Sequence, residues 1–247
     1  MKAKRISLII PVHNEVNIIE EVIKNYHKEV ISKIPGSEFI IAEDGSNDGT
    51  KEVLRRITEE LPITLISSDQ KKGYSKAVWD AFKLARNEII FFSDSDGQHS
   101  PGDFWKMVPF IEDFEVINGY KFPRQDTRMR CLISSAMNLI VWVLFGIKLR
   151  DINCGFKVMK KEVVDNILKD HIISDFISTE LIIRIHKKGY KIVEVPIRHY
   201  SRPYGDSHWL TNKKLPKIIL KLLVNFLRIK IEFMASDIKR YVVYRRA

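Results

Sequence analysis

The chain is short of cysteine: only Cys131 and Cys154 occur in 247 residues. Two thiols exclude a disulfide framework and a four-cysteine zinc site, and suit reduced side chains in a cytosolic setting. Glycine is sparse too, at 11. None of it forms G-x-G-x-x-G or G-x-x-x-x-G-K-[ST], so neither a dinucleotide fingerprint nor a Walker loop is expected. The amino terminus, MKAKRISLIIPVHNE, has a basic start, but Pro11 cuts its apolar run too short for a signal peptide. Low-complexity tracts, sequence repeats and an obvious linker are all lacking. One long uncharged run exists, the 17 residues Cys131–Ile147. That length is at the bottom of the range for a spanning helix. Ser134, Ser135 and Asn138 interrupt it, and Arg128, Arg130, Lys148 and Arg150 flank it. It reads as a helix that is buried or lies at a membrane interface.

What is present is an ordinary globular mixture, 45% hydrophobic and 29% charged, which excludes intrinsic disorder. The net charge of +10 suggests an anionic partner, but it is unevenly spread. Residues 1–118 carry 15 basic and 20 acidic side chains, whereas residues 119–161 carry 9 and 2, and residues 210–247 carry 10 and 2. An acidic half joined to two basic segments argues against nucleic acid. It fits a basic surface serving an acidic domain.

The first hundred residues alternate between two periods. Strands are expected at Ile6–Ile10, Phe39–Ala42, Ile63–Ile66 and Glu88–Ser93, with helices over 15–33, 48–60 and 75–86. Strands alternating with helices mean a mostly parallel α/β sheet covered on both faces. In such a sheet ligands bind beyond the carboxyl ends of the strands. Three polar, acid-rich turns fall there: Pro11-Val12-His13-Asn14-Glu15, Glu43-Asp44-Gly45-Ser46 and Asp94-Ser95-Asp96-Gly97-Gln98. Asp94 and Asp96, two residues apart after an apolar strand, offer hard oxygen ligands with Gln98, which suits Mg²⁺ or Mn²⁺ bridging a diphosphate. The competing reading is an acidic turn capping the helix near Pro101. Ser46 or Asn47 is expected to cap the second helix, leaving Asp44 free to accept hydrogen bonds from a base. His99 and His186 have no ligand-like neighbours and read as surface residues, and Cys154 reads as a packing residue, since no histidine partner marks it as a nucleophile.

In this order and spacing, PVHNE, EDGSNDGT and DSDGQHSP resemble glycosyltransferase family 2 with its Rossmann-like GT-A fold. Asp151–Lys157 (DINCGFK), Glu194–Ile197 (EVPI) and Arg202–Ser207 (RPYGDS) resemble the branch containing dolichyl-phosphate mannose synthase and polyprenyl-phosphate glycosyltransferases. The resemblance covers about residues 5–210. It implies an inverting, metal-dependent transfer from a nucleotide sugar, GDP-mannose or a UDP-hexose, to a polyprenyl phosphate. By position it implies donor contacts from Pro11, His13, Glu15, Ala42, Asp44, Asp94, Ser95, Asp96, Lys121, Arg202 and His208. Asp94, Asp96 and Gln98 match the metal positions, and Asp96, Arg130 and Arg202 the catalytic ones, with Arg130 near the acceptor phosphate. The chain departs from the family pattern at His13 (usually Tyr), Glu43 (usually Asp), Ser95 and Gly97 (usually more apolar), Lys121 (usually Arg) and His208 (usually Lys). Lys121 keeps the charge but loses bidentate phosphate geometry.

A lipid phosphate monoester is largely dianionic at pH 7 and needs no base. The cations Lys121, Arg124, Arg130 and Arg202 are suited to holding two phosphates together. Asp151 and Glu180 are base candidates only for a hydroxyl acceptor. Over 212–233, Leu215, Ile218, Ile219, Leu222, Leu223, Phe226 and Ile229 follow helical spacing opposite Lys214, Lys217, Lys221 and Arg228. That is a basic amphipathic helix suited to an anionic membrane, or one packed on its own domain. The chain thus divides into a catalytic domain, 1–210, and a basic helical tail, 211–247. It is expected to be cytoplasmic and peripheral at the membrane face, held by lipid or by a membrane-protein partner. The alternatives are a family 2 transferase acting on a saccharide or protein hydroxyl, and a degenerate nucleotide-binding recruitment module. The intact Asp94/Asp96/Gln98 set disfavours the second.

Overall fold

A computed structural model describes residues 4–170, 173–174, 176–204 and 215–244, and within the last range the side chains of 220–237. Short apolar runs alternate with amphipathic ones: β1 (Ile6–Val12), α1 (Ile19–Glu29), β2 (Glu38–Glu43), α2 (Thr50–Glu60), β3 (Thr64–Ser67), α3 (Tyr74–Leu84) and β4 (Ile89–Phe92). There follow α4 (Phe104–Met107), β5 (Val116–Lys121), α5 (Arg128–Phe145), β6 (Lys157–Lys160), α6 (Lys161–Ile167), α7 (Ile177–Lys187), β7 (Ile192–Ile197) and α8 (Leu215–Tyr244). The seven strands form one sheet in the order β3-β2-β1-β4-β6-β5-β7, parallel except where β6 runs against β4 and β5.

Period-two alternation splits the strands between two cores. Leu8, Ile10, Phe39, Ile41 and Phe91 meet α1, α2 and α4 on one face. Ile9, Ile40, Ile90, Phe92 and Val116 meet α3, α5, α6, α7 and α8 on the other. This is the two-faced, mostly parallel sheet expected from the sequence.

The two basic segments contain α5 and α8. Thr127 caps α5, its hydroxyl accepting the Arg130 N–H at 3.4 Å, and Gly146, with φ 74°, ends it. Helix α5 buries Ser134, Met137 and Val141 and exposes Leu132, Leu139, Trp142 and Val143. It is thus neither wholly buried nor free. Among the described residues it is the one helix long and apolar enough to cross a membrane. In α8 the stripe singled out from the sequence faces the protein: Leu222, Phe226 and Ile229 are buried in the cluster that contains Met137 and Val141. A second stripe, Leu220, Val224, Leu227, Ile231 and Met234, is exposed instead. Lys221 and Arg228 are exposed as expected. Leu215, Ile218, Ile219, Lys214 and Lys217 lie outside the described side chains. Arg184, fully buried on α7, ties α8 down by donating to both carboxylate oxygens of Glu232, at 3.0 and 2.9 Å.

Candidate active site

Parallel strands deliver the polar turns after β1, β2 and β4 to one edge, and hydrogen bonds lock the first two together. The Asn14 N–H donates to Ser46 Oγ at 3.0 Å, the Glu15 N–H to Thr50 Oγ1 at 2.9 Å and the Val16 N–H to Asp48 Oδ2 at 3.1 Å. Ser46 therefore holds the neighbouring turn rather than capping α2. Asn47 does not cap it either: Gly49, with φ 99°, precedes the helix, and Asp48 accepts the Thr50 N–H at 3.0 Å. Asp44 is likewise engaged. Its carboxylate accepts the N–H groups of Lys72 and Gly73 at 2.6 and 3.0 Å, which wraps the 71–73 loop around it. Gly45, with φ 64°, permits this, since a Cβ there would strike the Lys71 backbone.

These turns open onto a cavity of about 640 Å³. Pro11, His13, Glu15, Asp44, Asp94, Ser95, Asp96, Lys121, Arg130 and Arg202 all line it. Ala42 and Gln98 do not. Ala42 is buried within β2, and the Gln98 carboxamide donates to the Tyr200 carbonyl at 3.0 Å. His208 lies outside the described residues.

At the acidic end, Asp94 Oδ1 accepts the Tyr74 hydroxyl at 2.6 Å, and Oδ2 lies 3.8 Å from His99 Nε2. His99 is therefore buried, not a surface residue, and packs against the Phe156 ring. Burial pushes the Asp94 carboxyl up, but His99 and Tyr74 outweigh it and hold the carboxyl below its ordinary value. The backbone of Gly155 runs directly under Asp94, so that a Cβ at 155 would overlap the carboxylate. Asp96 accepts the Gln98 N–H at 3.1 Å. The donor set is thus two cradled carboxylates, without a third acidic, histidine or cysteine ligand among the described residues. Two carboxylates fit a hard divalent ion that draws its remaining oxygens from a diphosphate and water. Beside them Glu15 pairs with Arg202 at 2.5 Å. Burial raises the Glu15 carboxyl to about 7 against the opposing pull of Arg202.

The other end is cationic. Three basic side chains converge on Asp126, whose side chain is 2% exposed: Arg124 Nε at 2.7 Å, Arg130 at 2.9 Å and Lys121 Nζ at 4.0 Å. Arg124 also donates to Ser134 Oγ at 2.9 Å. Burial alone would lower the Lys121 ammonium, but Asp151 and Asp126 hold it above its ordinary value. Ile133, Met137, Phe176, Ile177 and Leu222 give this end an apolar wall.

Behind the wall lies a polar lattice. Lys157, fully buried, donates to Asn118 Oδ1 at 2.7 Å and to the Cys154 carbonyl, while Asn118 donates to the Asp151 carbonyl at 2.9 Å. Glu194 accepts the Arg150 and Asp151 N–H groups at 2.8 and 3.1 Å. The Asp151–Lys157 loop is therefore fixed from below, with Asp151 in the cavity wall and its Oδ2 without a hydrogen-bond partner. Glu180 is withdrawn from chemistry. It is 1% exposed, accepts the Ile173 and Ser174 N–H groups, and pairs with Arg184 at 2.8 Å. Burial pushes the Cys154 thiol up to about 12, which suits a packing role.

The family model for glycosyl transferase family 2 matches residues 7–168, about two-thirds of the chain. The chain belongs to glycosyl transferase family 2. Among curated proteins it is 26% identical over 209 residues to an undecaprenyl-phosphate 4-deoxy-4-formamido-L-arabinose transferase of Salmonella choleraesuis, covering 83% of this chain and 63% of that one. The chain thus spans somewhat under two-thirds of the length of the curated relatives it matches. Among solved structures, glucosyl-3-phosphoglycerate synthase from Mycobacterium tuberculosis, in complex with Mn²⁺, UDP and phosphoglyceric acid, superposes with a TM-score of 0.69 at 18% identity, covering 92% of this chain and 78% of the other. A mannosyltransferase from Pyrobaculum calidifontis in complex with GDP-Man and Mn²⁺ gives 0.67 at 18%, covering 92% and 65%. These likenesses establish the GT-A fold.

Sequence reasoning on this family 2 chain did not single out Tyr74, Gly155, Asp126 or the 71–73 loop. A signal for Asp126 was present: residues 119–161 hold only two acids, Asp126 and Asp151, and both line the cavity.

Proposed function

We propose that this chain transfers a sugar, with inversion, from a nucleotide-sugar donor to a polyprenyl phosphate at a membrane surface. The observation that carries the reading is the two-ended cavity. Cradled carboxylates line one end, and three cations beside an apolar wall line the other. The acidic end suits a metal–diphosphate, and the far end suits an amphiphile with an anionic head and a hydrocarbon tail. The printed activity of the Salmonella relative, on undecaprenyl phosphate, supports the same acceptor class.

A bound Mg²⁺ or Mn²⁺ would supply neutralisation of the leaving nucleoside diphosphate, and Asp94 and Asp96 would hold it. Gln98 would reach it only by giving up its bond to Tyr200. His13 Nδ1 and the β1 and β2 turns would line the nucleoside, and Arg202 would face the donor phosphates. Lys121, Arg124 and Arg130 would hold the acceptor phosphate against the repulsion of the donor. Because the acceptor is already a dianion, catalysis reduces to positioning and charge stabilisation.

Residues 1–210 would then be the catalytic part and 211–247 a basic helical tail, with the outer faces of α5 and α8 turned to the lipid. Leu132, Leu139 and Val143 on α5 and Leu220, Leu227 and Ile231 on α8 are exposed apolar side chains, and the two helices pack together through Phe145 and Phe226. Lys148, Lys221 and Arg228 supply positive charge nearby. This supports peripheral association with an anionic membrane at the cytoplasmic face.

A second reading, transfer to a saccharide or protein hydroxyl, requires a base. Asp151 is its candidate, with one unpartnered oxygen in the cavity wall. One assay separates the two readings: purified protein, Mn²⁺, a panel of labelled nucleotide sugars, and either a short-chain polyprenyl phosphate or a soluble sugar acceptor. Organic-extractable label that appears only with the lipid supports the first. Transfer to the soluble sugar and to no lipid phosphate overturns it.

A further inference from the structure

We infer that Asp126 is a specificity-determining residue that makes the acceptor end prefer a phosphate monoester to a diphosphate head group. The inference rests on the lipid-phosphate reading above and goes beyond it, because it concerns how the site counts the charge of the head group. The cations Lys121, Arg124 and Arg130 do not face an empty cavity. Each is already turned toward a nearly buried carboxylate, at 4.0, 2.7 and 2.9 Å. An incoming phosphate must share those donors with Asp126. A fixed negative charge among the cations is tolerable for two ligand charges and more costly for each one added. Charge–charge coupling between groups that share the same donors in a partly solvated site is large enough to decide between head groups. Asp151, the other carboxylate lining this end, acts in the same direction. Asp126 is the one of the two in direct contact with the cations, whereas Asp151 acts on Lys121 and Arg124 through space.

A purely structural role for Asp126 predicts a different result. If it served only to keep the arginines from splaying apart, its loss would weaken both head groups equally. The ratio between them is therefore the informative quantity.

The test measures, at saturating donor and Mn²⁺, the KM for a short-chain prenyl monophosphate and the inhibition constant of the matching prenyl diphosphate. Both are measured in the wild-type protein, in Asp126→Asn and in Asp126→Glu. Wild type is expected to favour the monophosphate. Asp126→Asn should tighten both ligands, the diphosphate the more, so that the preference shrinks by about tenfold, and Asp126→Glu should restore it. An unchanged ratio in Asp126→Asn, with both constants raised together, overturns the inference and leaves the lipid-phosphate reading intact. A wild-type protein that binds the diphosphate as tightly as the monophosphate overturns it without recourse to any variant. No use of the monophosphate by wild type instead overturns the reading on which the inference rests.

Discussion

Replacing Gly155 by alanine is expected to disable the chain through one atom. The residue does not need glycine for its backbone, because its φ is not in the left-handed region. It needs glycine for space. A Cβ at this position would lie 2.5 Å from Asp94 Oδ1 and closer still to the rest of the carboxylate. Ordinary contact begins near 3.4 Å, so Oδ1 must retreat by about 0.9 Å and the other carboxylate atoms by more. The movement would also break the 2.6 Å bond from Tyr74, which sits on the same oxygen. A misplacement of about 1 Å at a group that positions reacting phosphates costs on the order of 100-fold in rate. The fold should survive, with an overpacking cost of about 1–3 kcal/mol. The assay is kcat at saturating donor and acceptor across a Mn²⁺ titration, with thermal melting in parallel. Gly102→Ala serves as the control, since its nearest neighbour would be Arg198 at 3.8 Å. The expected result is a loss of kcat of about 100-fold, with a weakened response to metal and a melting temperature lowered by only a few degrees, the protein still folded at the assay temperature. A Gly155→Ala protein that retains a third or more of wild-type turnover would refute the assignment of Asp94 as a positioned, reactive-site carboxylate.

Asp96→Ala should abolish turnover with no loss of cooperative unfolding; residual activity near wild type would remove Asp96 from the metal set. Arg184→Met leaves Glu180 and Glu232 without their shared cation, and breaking a buried pair of this kind costs about 3–5 kcal/mol, read from denaturant melts. Glu15 gives a pH signature. Its folded value of about 7 lies above the ordinary 4.5, so the folded state holds the proton more tightly. Its contribution to stability is full below about 4.5 and is lost as pH rises toward 7. Wild type should therefore lose more stability between pH 5 and pH 7.5 than Glu15→Gln, and parallel slopes would contradict the raised value. Leu227→Gln with Ile231→Gln should reduce co-sedimentation with anionic vesicles several-fold while leaving melting unchanged, because both side chains are exposed. Deleting α8 would not test the same point, since its inner face is core.

The parts of the fold that were legible from sequence are those where local pattern and tertiary role agree. The strands before Pro11, Glu43 and Asp94 are apolar runs ended by polar turns, and parallel pairing brings those ends together whatever lies between them. The misread parts are those where a polar side chain had two partners within reach. Ser46 could cap α2 or hold Asn14, and it holds Asn14, because the β1 turn has backbone donors to satisfy and Gly49 starts the helix without a side-chain cap. Asp44 reads as free in the sequence, but the 71–73 loop engages it through the N–H groups of Lys72 and Gly73, while it still lines the cavity. His99 carries no sequence sign of burial, because its partner Asp94 is five residues away across a turn. The α8 helix shows the same limit for apolar residues. Its sequence holds two stripes, and only the positions of α5 and α7 decide which one is covered. That choice carries functional weight. With Leu222, Phe226 and Ile229 turned inward, α8 closes one wall of the cavity through Leu222 and leaves Leu227 and Ile231 outside. A single helix thus borders the cavity on one face and offers an apolar surface on the other. That arrangement suits the proposed lipid acceptor, whose head would enter the cavity while its tail stayed in a membrane.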